Sequence, residues 1–262
     1  MSRESGEVIG EHIRRGGFLF SLMLELVLAT GNPHKVEELR AIFASIPDAG
    51  WLRVIGLKDL PGHERFHEPK ETGATFEQNA SIKAMSYAVQ TGRICLADDS
   101  GLEVDALNRR PGVISSHYCT HGEETGLSRE VRDQANNNRV LFELQGVPMM
   151  GRGARFVCVI ALAEPFLPGE ARLLARVRGE FEGRIGLPES ETDDPSLVVP
   201  RGSNGFGYDP LFLAAREFSR TGAELSPAEK NSVSHRANAA RLLVPRLRAL
   251  FSDGASLSGS GM

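Results

Sequence analysis

Residues 24–35 read LELVLATGNPHK, the pattern of a buried strand that runs directly into a helix. The apolar run from Leu24 to Thr30 is rich in strand-forming residues, and Gly31 interrupts it. Asn32 is a good helix N-cap, Pro33 suits the first helical position, and apolar residues then recur every three or four positions. A strand followed at once by an amphipathic helix favours the α/β fold class.

The same alternation of helix and strand continues along the chain. Residues 75–78, Thr-Phe-Glu-Gln, form a capping box that predicts a helix to about Gln90, with Gly92 as its stop. Residues 94–97 are predicted as the next strand. The segments 155–163 and 172–181 flank a turn, and the second alternates apolar with charged residues, which predicts an antiparallel hairpin.

The remaining segments are predicted as a surface helix, a long loop and a last helical region. A surface helix is expected within residues 123–144, with an apolar stripe formed by Leu127, Val131, Ala135, Leu141 and Leu144. Residues 186–207 are dense in Pro, Gly, Ser and Asp and are predicted to form an ordered, functional loop. A second capping box at residues 226–229 opens the last helical region, which we expect Pro245 to break or kink.

The composition is that of an ordinary globular protein. The chain has 262 residues, of which 41% are hydrophobic and 24% charged, and its formal net charge is −4. This balance offers no general attraction to nucleic acid or to an anionic membrane, so neither is an expected partner. The three cysteines have no C-x-x-C spacing, which argues against a disulfide framework or a zinc knuckle and favours a cytoplasmic location.

We expect three segments along the chain. Residues 1–22 are predicted to be a flexible N-terminal extension, residues 23–251 a single α/β domain, and residues 252–262 a flexible tail rich in Ser and Gly. The apolar stretch at residues 18–24 is far shorter than the ~20 residues that a membrane span needs, and no small-residue cleavage site follows it.

The turn at Thr30–Lys35 combines features that bind anions. Free backbone N–H groups and the helix dipole favour negative charge, Gly31 lets a phosphate approach closely, and Lys35 adds a cation. The spacing is not that of a P-loop. Taken alone, the segment is equally well explained as an ordinary strand–turn–helix junction with a surface lysine.

Two acids, Asp98 and Asp99, follow the predicted strand at residues 94–97, where ligands of open α/β sheets bind. Mg²⁺ takes one or two carboxylates together with phosphate oxygens, and a carboxylate can also accept a proton from an attacking water. Glu71 is a candidate second metal ligand. The alternatives are an acidic turn in which one Asp caps backbone N–H groups and, for Glu71, a solvated surface glutamate.

The loop at residues 202–210, GSNGFGYDP, holds two aromatic rings and a carboxylate among glycines. Phe206 can stack on a nucleobase, a contact that tolerates many bases. Tyr208 is at least equally well explained as a core residue, and Asp209 as a turn residue.

Further along, Lys230, His235 and Arg236 place three potential cations within seven residues. A solvated helix face is the usual explanation of such a cluster. Lys83 lies in the middle of a predicted helix, where an exposed lysine is the default expectation.

Five segments, taken in order, resemble the signatures of the inosine triphosphate pyrophosphatase family, the non-canonical purine nucleoside triphosphate pyrophosphatases. They read VLATGNPHKVEELR, ETGATFEQNASIKA, ADDSGLEVDAL with PGVISSHY, RGSNGFGYDPLF and SPAEKNSVSHR, and the resemblance extends from about Met23 to Leu250. It implies an elongated central mixed β-sheet with flanking helices and two lobes around an active-site cleft. It also implies Mg²⁺-dependent hydrolysis of ITP, dITP and XTP between the α and β phosphates, and a homodimer.

The resemblance also implies roles by position. Asp99 corresponds to the proton acceptor and, with Glu71, to the metal ligands, while Asp98 is given a supporting role. The implied substrate contacts are Thr30, Gly31, Asn32, Pro33, His34, Lys35, Lys83, Ser100, Phe206, Gly207, Tyr208, Asp209, Lys230, His235 and Arg236.

Two positions depart from the family's pattern. Gln78 stands where the family often has Glu, an exchange that a capping box tolerates. His117 stands where Arg is common in an S-A-R-Y segment. This exchange removes a permanent charge that we expect near the two aspartates, and so weakens any clamp on their carboxylates.

Selectivity is expected to depend on the purine 6-keto group, which accepts a hydrogen bond from a donor such as His235 or Arg236. One rival hypothesis is a pyrophosphatase of canonical or pyrimidine triphosphates, as in the fold-related Maf-like proteins. Another is a nucleotide-binding regulator without turnover. The acidic balance and the absence of a basic stripe disfavour a DNA- or RNA-binding module.

Overall fold

The computed structural model of the chain describes residues 23–214 and 217–252, apart from the side chains of His34 and Ser252. The expected N-terminal extension and residues 253–262 of the expected tail lie outside the described residues. Within the described ranges, no helix is long and apolar enough to cross a membrane.

Seven strands form one mixed sheet. They are β1 (Leu24–Leu28), β2 (Leu52–Gly56), β3 (Cys95–Val104), β4 (Arg110–Pro111), β5 (Gly153–Pro165), β6 (Ala171–Ile185) and β7 (Phe212–Ala214). The order is β2-β1-β3-β5-β6-β7, and β4 also pairs with β3. β1 runs parallel to β2 and β3, whereas the pairs β3–β5, β5–β6 and β6–β7 are antiparallel, so the predicted mixed sheet is confirmed.

Helices cover both faces of the sheet. In the described residues they are α1 (Pro33–Ser45), α2 (Phe76–Thr91), α3 (Arg129–Glu143), α4 (Pro227–Val233) and α5 (His235–Ser252). One apolar core lies between α1, α5 and the face of β3 that carries Leu96. A second lies between α2 and the face that carries Cys95 and Ala97. Because successive strand residues point to opposite faces, neighbours on β3 enter different environments.

A third core lies under the far end of the long strands and forms the second lobe. Leu102 and Val104 of β3 pack there with Phe156, Phe212 and Val140. The cleft opens where β3 passes from the first two cores to the third. The long strands therefore run from one lobe into the other and connect the two walls of the cleft, as expected for the two-lobed α/β fold.

The helix starts agree with the sequence-based predictions. α1 begins at Pro33. At the start of α2, Thr75 Oγ1 accepts a hydrogen bond from the Gln78 backbone N–H (3.2 Å), and Gly92 ends the helix in the left-handed conformation. The Gln78 side chain accepts a hydrogen bond from the Ala74 N–H (2.7 Å). Glutamine therefore serves this helix start as predicted.

Two predictions about where elements end are wrong. The strand expected at residues 94–97 continues to Val104, because β5 pairs with it from Cys95 onwards. The two aspartates are therefore part of a strand and not of a turn. The expected break at Pro245 is also absent, because α5 continues through it and Val244 and Leu247 on either side of the proline are both buried in the first core. The alternative expectation, a kink, stays a prediction.

The predicted apolar stripe of the surface helix is also wrong in part. Leu127 and Val131 are 40% and 54% exposed, whereas Asn136 and Asn137 are buried. The Asn136 side chain accepts a hydrogen bond from the Cys119 N–H at 2.7 Å, so hydrogen bonding to a neighbouring loop determines which face of α3 is buried.

Candidate active site

A cleft of about 400 Å³ lies between the two lobes. The sequence-predicted site residues that line it are Asn32, Lys35, Glu71, Lys83, Asp99, Ser100, Phe206, Gly207, Tyr208, Asp209, Lys230, His235 and Arg236. Thr30, Gly31 and Pro33 lie in the turn beside the cleft without lining it. The side chain of His34 lies outside the described residues.

The turn between β1 and α1 brings Lys35 to the cleft. Thr30 Oγ1 accepts a hydrogen bond from the Asn32 N–H (3.2 Å), and Asn32 Oδ1 accepts one from the Lys35 N–H (3.4 Å). A Cβ added at Gly31 would meet no atom within 4 Å beyond its two chain neighbours. An exposed glycine beside a helix N-terminus leaves room for an anion, as the sequence predicts.

Asp98 points to the face of β3 that α1 and α5 cover. Its Oδ2 lies 3.1 Å from Lys35 Nζ and 3.4 Å from Arg236 Nε, and it accepts a hydrogen bond from Ser100 Oγ (3.3 Å). Burial alone would raise the pKa of this carboxyl, but the nearby charges, Lys35 foremost, outweigh burial and hold its pKa well below the usual range. Asp98 is therefore a permanently charged member of a buried ion network.

Asp99 points to the opposite face, toward α2. Lys83 Nζ lies 3.3 Å from Asp99 Oδ1 and 3.0 Å from Glu71 Oε1, so one ammonium group joins the two carboxylates. Within the part of the chain that the structure describes, Asp99 Oδ2 is buried without a hydrogen-bond partner. The default expectation of an exposed Lys83 is wrong, since the residue is only 7% exposed.

The surroundings of Asp99 shift both pKa values of this ion pair. Burial is the largest effect on Asp99, and with the repulsion from Glu71 and Asp98 it raises the pKa to about 6 against the opposing charge of Lys83. Burial lowers the pKa of Lys83, but the three carboxylates outweigh it, so its pKa lies above the ordinary value. A carboxylate with a pKa near 6 can exchange a proton close to neutral pH.

Phe206 presents an aromatic face to the cleft. Its ring is 36% exposed, and the guanidinium of Arg129 lies 4.5 Å from the ring centroid. Lys230 Nζ and Arg236 Cζ lie 5.4 and 5.7 Å from the same centroid. A partly exposed ring among cations suits a flat, electron-rich partner such as a nucleobase.

The other two residues of this loop have structural contacts. Tyr208 is 4% exposed, and its hydroxyl donates a hydrogen bond to the Ser115 carbonyl (2.7 Å), which agrees with its interpretation as a core residue. Asp209 accepts a hydrogen bond from the Phe206 N–H (2.8 Å) and forms an ion pair with Lys230. Asp209 thus holds the loop in the shape that exposes Phe206.

The interpretation of Lys230, His235 and Arg236 as a solvated helix face is wrong. His235 and Arg236 are 5% and 2% exposed, and the ring of His235 stacks on Phe156 with the centroids 5.2 Å apart. Burial and the charges of Arg236 and Lys230 lower the pKa of His235, so the imidazole is neutral. Arg236 donates hydrogen bonds to Asp98, Glu38 and Ser100.

The sequence as a whole matches a known family. The model of the Ham1 family covers residues 26–246. The chain belongs to the Ham1 family. It is similar to the dITP/XTP pyrophosphatases of Nocardia farcinica (43% identity, covering 87% of this chain and 97% of the relative) and Nitratidesulfovibrio vulgaris (44% identity, 84% and 93%).

Solved structures of Ham1 proteins resemble this one. A HAM1 protein from Coxiella burnetii superposes with a TM-score of 0.66 at 37% identity and covers 87% of this chain and 100% of that one. A nucleoside-triphosphatase or dITP/XTP pyrophosphatase from Mycobacterium abscessus gives a TM-score of 0.58 at 39% identity, with coverage of 85% and 100%.

Sequence reasoning missed the contribution of α3 to the cleft of this Ham1 chain. Arg129, Arg132 and Asp133 line it, and Asp133 Oδ2 accepts a hydrogen bond from the Gly207 N–H (3.1 Å). Their spacing of three and four residues places them on one helix face. Such a pattern is typical of solvated helices as well, so the sequence alone does not single it out.

The ring of His117 faces Arg132 rather than the two aspartates. Its Nε2 lies 3.1 Å from Arg132 Nη1, and its Nδ1 lies 2.9 Å from Ser116 Oγ. The two aspartates pair with Lys35, Arg236 and Lys83 instead. Among the described residues, His117 therefore makes no contact with either aspartate through which it could weaken their carboxylate contacts, as the sequence had predicted.

Proposed function

We propose that this Ham1 chain hydrolyses non-canonical purine nucleoside triphosphates, ITP, dITP and XTP among them, to the monophosphate and pyrophosphate. The observation that carries the proposal is Asp99 Oδ2, a buried carboxylate oxygen without a partner among the described residues, in a cleft lined by cations. The similarity to the dITP/XTP pyrophosphatases of Nocardia farcinica and Nitratidesulfovibrio vulgaris supports this substrate class.

The cations of the cleft suit a triphosphate. Such a group carries about four negative charges at neutral pH, which a local cluster of cations can neutralise in spite of the chain's net charge of −4. We assign the phosphates to the β1–α1 turn, where Lys35 and the α1 N-terminus meet, and to Lys83. Binding there places the α phosphorus near Asp99.

We assign Mg²⁺ as the cofactor, with Glu71 and Asp99 as its protein ligands. No group of three or more His, Cys, Asp or Glu side chains within residues 23–214 and 217–252 is arranged to hold a metal. Two carboxylates fit Mg²⁺, which is usually bound by one or two carboxylates together with substrate phosphates and water. The two carboxylates adjoin, because Glu71 Oε1 and Asp99 Oδ1 lie 3.0 and 3.3 Å from the same atom, Lys83 Nζ. When bound, Mg²⁺ supplies charge neutralisation and polarises the phosphoryl oxygens.

The two oxygens of the Asp99 carboxylate have different roles in the proton transfer. Lys83 holds Asp99 Oδ1 at 3.3 Å, which leaves Oδ2 to accept the proton of the attacking water. The water oxygen bonds to the α phosphorus, and the bond from that phosphorus to the bridging oxygen breaks. Pyrophosphate leaves with the bonding electrons, and the cations stabilise its charge.

For recognition of the base, the structure favours His235 over Arg236. All three guanidinium nitrogens of Arg236 already donate to Asp98, Glu38 and Ser100, so it holds the network around β3. His235 lines the cleft, and its buried Nδ1 has no partner among the described residues. We assign His235 to the 6-keto group and Phe206 to stacking.

Product analysis by chromatography tests the proposal. The protein is incubated with ITP, XTP, dITP, GTP, ATP and a pyrimidine triphosphate, with Mg²⁺ or with a chelator. We expect monophosphate plus pyrophosphate from the first three, much faster than from the others and only with Mg²⁺. Equal cleavage of every triphosphate would instead identify a broad pyrophosphatase, and binding without product would identify a regulator.

The assembly follows from the family resemblance and the location from the cysteine pattern, and both remain predictions. We propose a homodimer, to be tested by light scattering on the eluting protein. The three cysteines are free thiols in the structure, which is consistent with the proposed cytoplasmic location.

A further inference from the structure

The cations that line the cleft differ in how their charge is balanced. Lys35 pairs with Asp98, Lys83 with Asp99 and Glu71, and Lys230 with Asp209. The arginines Arg236 and Arg129 also have carboxylate partners, Asp98 and Glu38 for the first and Asp133 for the second. Within the described ranges, Arg132 is the cleft-lining cation that forms no ion pair with a carboxylate.

Arg132 is held in place by a neutral acceptor. Its Nη1 lies 3.1 Å from His117 Nε2, and because a guanidinium only donates, the ring nitrogen must accept. His117 Nδ1 then carries the proton, and it lies 2.9 Å from Ser116 Oγ. Glu124 is 79% exposed and lies 3.7 Å from the ring. The guanidinium is therefore oriented without being neutralised.

A second donor of Arg132 has no partner at all. Its Nε is buried and lacks a hydrogen-bond partner in the part of the chain that the structure describes. A buried donor that makes no hydrogen bond is destabilising. A donor of this kind in a cleft wall, attached to an unpaired charge, is suited to an oxygen atom that arrives with the ligand.

We propose that Arg132 binds a non-bridging phosphate oxygen of the triphosphate, with His117 as the residue that positions it. The inference rests on the proposed function, because it takes the ligand of the cleft to be a nucleoside triphosphate. It adds to the β1–α1 turn and Lys83 a phosphate contact from α3, on the opposite wall of the cleft.

Charge and position both favour a phosphate oxygen over a base atom. An unpaired guanidinium gains most from an anionic acceptor, whereas the keto groups of hypoxanthine and xanthine are neutral. Arg132 is also tied through His117 to Ser116, and the adjacent Ser115 lies against β3, where a Cβ on Gly101 would be 2.3 Å from Ser115 Oγ. Gly101 is two residues from Asp99, so this wall adjoins the proposed site of phosphoryl transfer.

The test compares Arg132→Met and Arg132→Lys with the wild-type protein. The matched control is Arg65→Met, which removes one positive charge from a side chain that is 86% exposed and outside the cleft. The values of KM and kcat are measured for ITP, dITP and XTP with Mg²⁺. Dissociation constants for ITP and IMP are measured by calorimetry in an Asp99→Asn background, and thermal melting checks folding.

We expect Arg132→Met to raise KM about tenfold to a hundredfold, the effect of one charge-assisted hydrogen bond. The factor should be the same for all three substrates, with kcat changed less than about threefold, and Arg132→Lys should recover part of the loss. ITP binding should weaken by the same factor and IMP binding by less. Arg65→Met should change neither constant.

Other outcomes overturn the proposal. An unchanged KM, or a lower kcat at constant KM, would contradict the phosphate contact. An effect on XTP alone would also contradict it, because it would indicate that Arg132 contacts the base. Failure of the proposed function looks different, because wild type would then release no pyrophosphate. The ITP calorimetry in the Asp99→Asn background would still report whether Arg132 binds the triphosphate.

Discussion

The two faces of β3 place adjacent aspartates in opposite electrostatic states. On the face covered by α1 and α5, Asp98 meets Lys35, Arg236 and Ser100, and its pKa lies well below the usual range. On the face covered by α2, Asp99 shares one lysine with Glu71 and keeps an oxygen without a partner among the described residues, and its pKa is raised to about 6. The two aspartates thus differ in pKa because successive side chains of a strand point to opposite faces of the sheet.

This difference indicates that Asp98 contributes mainly to stability and Asp99 to the reaction. A fully paired carboxylate gains little from a further partner, so Asp98 is suited to hold Lys35 and Arg236 in position. A carboxylate with a free buried oxygen and a pKa near neutrality is suited to bind a metal or to take a proton. Substitutions on the two faces should therefore affect different quantities.

The largest effect is expected from Asp99→Asn. The amide cannot accept the proton, so kcat for ITP should fall about 10³-fold to 10⁴-fold, the upper range for loss of a general base. ITP binding measured by calorimetry should change much less. A matched control is Asp105→Asn, whose carboxylate is 51% exposed and pairs with Arg155. Turnover near that of wild type in the Asp99 variant would place the base elsewhere.

Asp98→Asn should affect stability first. Removal of the charge leaves Lys35 and Arg236 without their shared partner, and loss of one member of a buried ion network costs roughly 3 kcal/mol of unfolding free energy. Urea denaturation at pH 7 measures the loss.

The pH dependence of stability sharpens this test. Because the folded pKa of Asp98 is lowered, its stabilisation is present above the unfolded pKa of about 4 and is lost as the pH falls further. Wild type should lose stability there more steeply than Asp98→Asn. Parallel curves, or a loss under about 1 kcal/mol at pH 7, would contradict the assigned role.

The third prediction concerns Mg²⁺ binding without nucleotide. Since a protonated carboxyl does not bind metal, Mg²⁺ affinity should fall about tenfold for each pH unit below the pKa of Asp99, which is raised to about 6. Calorimetric titrations at pH 5 and 7 measure this. Lys83→Met removes the cation that lowers the pKa of Asp99 and should move the onset to higher pH. Equal Mg²⁺ affinity at both pH values would contradict the raised pKa of Asp99 or its role as a metal ligand.

The smallest effect is expected from Ser100→Ala. Its hydroxyl accepts a hydrogen bond from Arg236 Nη2 (2.8 Å) and donates one to Asp98 (3.3 Å), so about 1 kcal/mol of unfolding free energy should be lost. Ser45→Ala is the control, because the Ser45 hydroxyl donates a hydrogen bond to the Ile42 carbonyl of its own helix and, among the described residues, takes no part in the network around Asp98. A larger loss from Ser45 in urea denaturation would show that the network around Asp98 is weak.

Much of the fold could be predicted because its signals are local. A capping box and a Pro at the first helical position act within one turn of chain, and α1, α2 and α4 begin where these signals lie. Helix and strand ends that depend on partners were missed. β3 reaches Val104 because β5 pairs with it, and α5 continues past Pro245 because both sides of the proline are buried.

For the site, the residue types and their order in the chain were enough to propose an anion-binding turn, an acidic pair and an aromatic loop in one cleft. The tertiary structure alone decided their electrostatic state, because burial and pairing depend on elements far apart in sequence. Lys83 is buried because it meets Asp99 across two layers. Arg132 forms no ion pair with a carboxylate of the described residues, because α3 brings it to the cleft with its guanidinium against His117. A pKa depends on the dielectric and charges around a group, and only the fold brings these together.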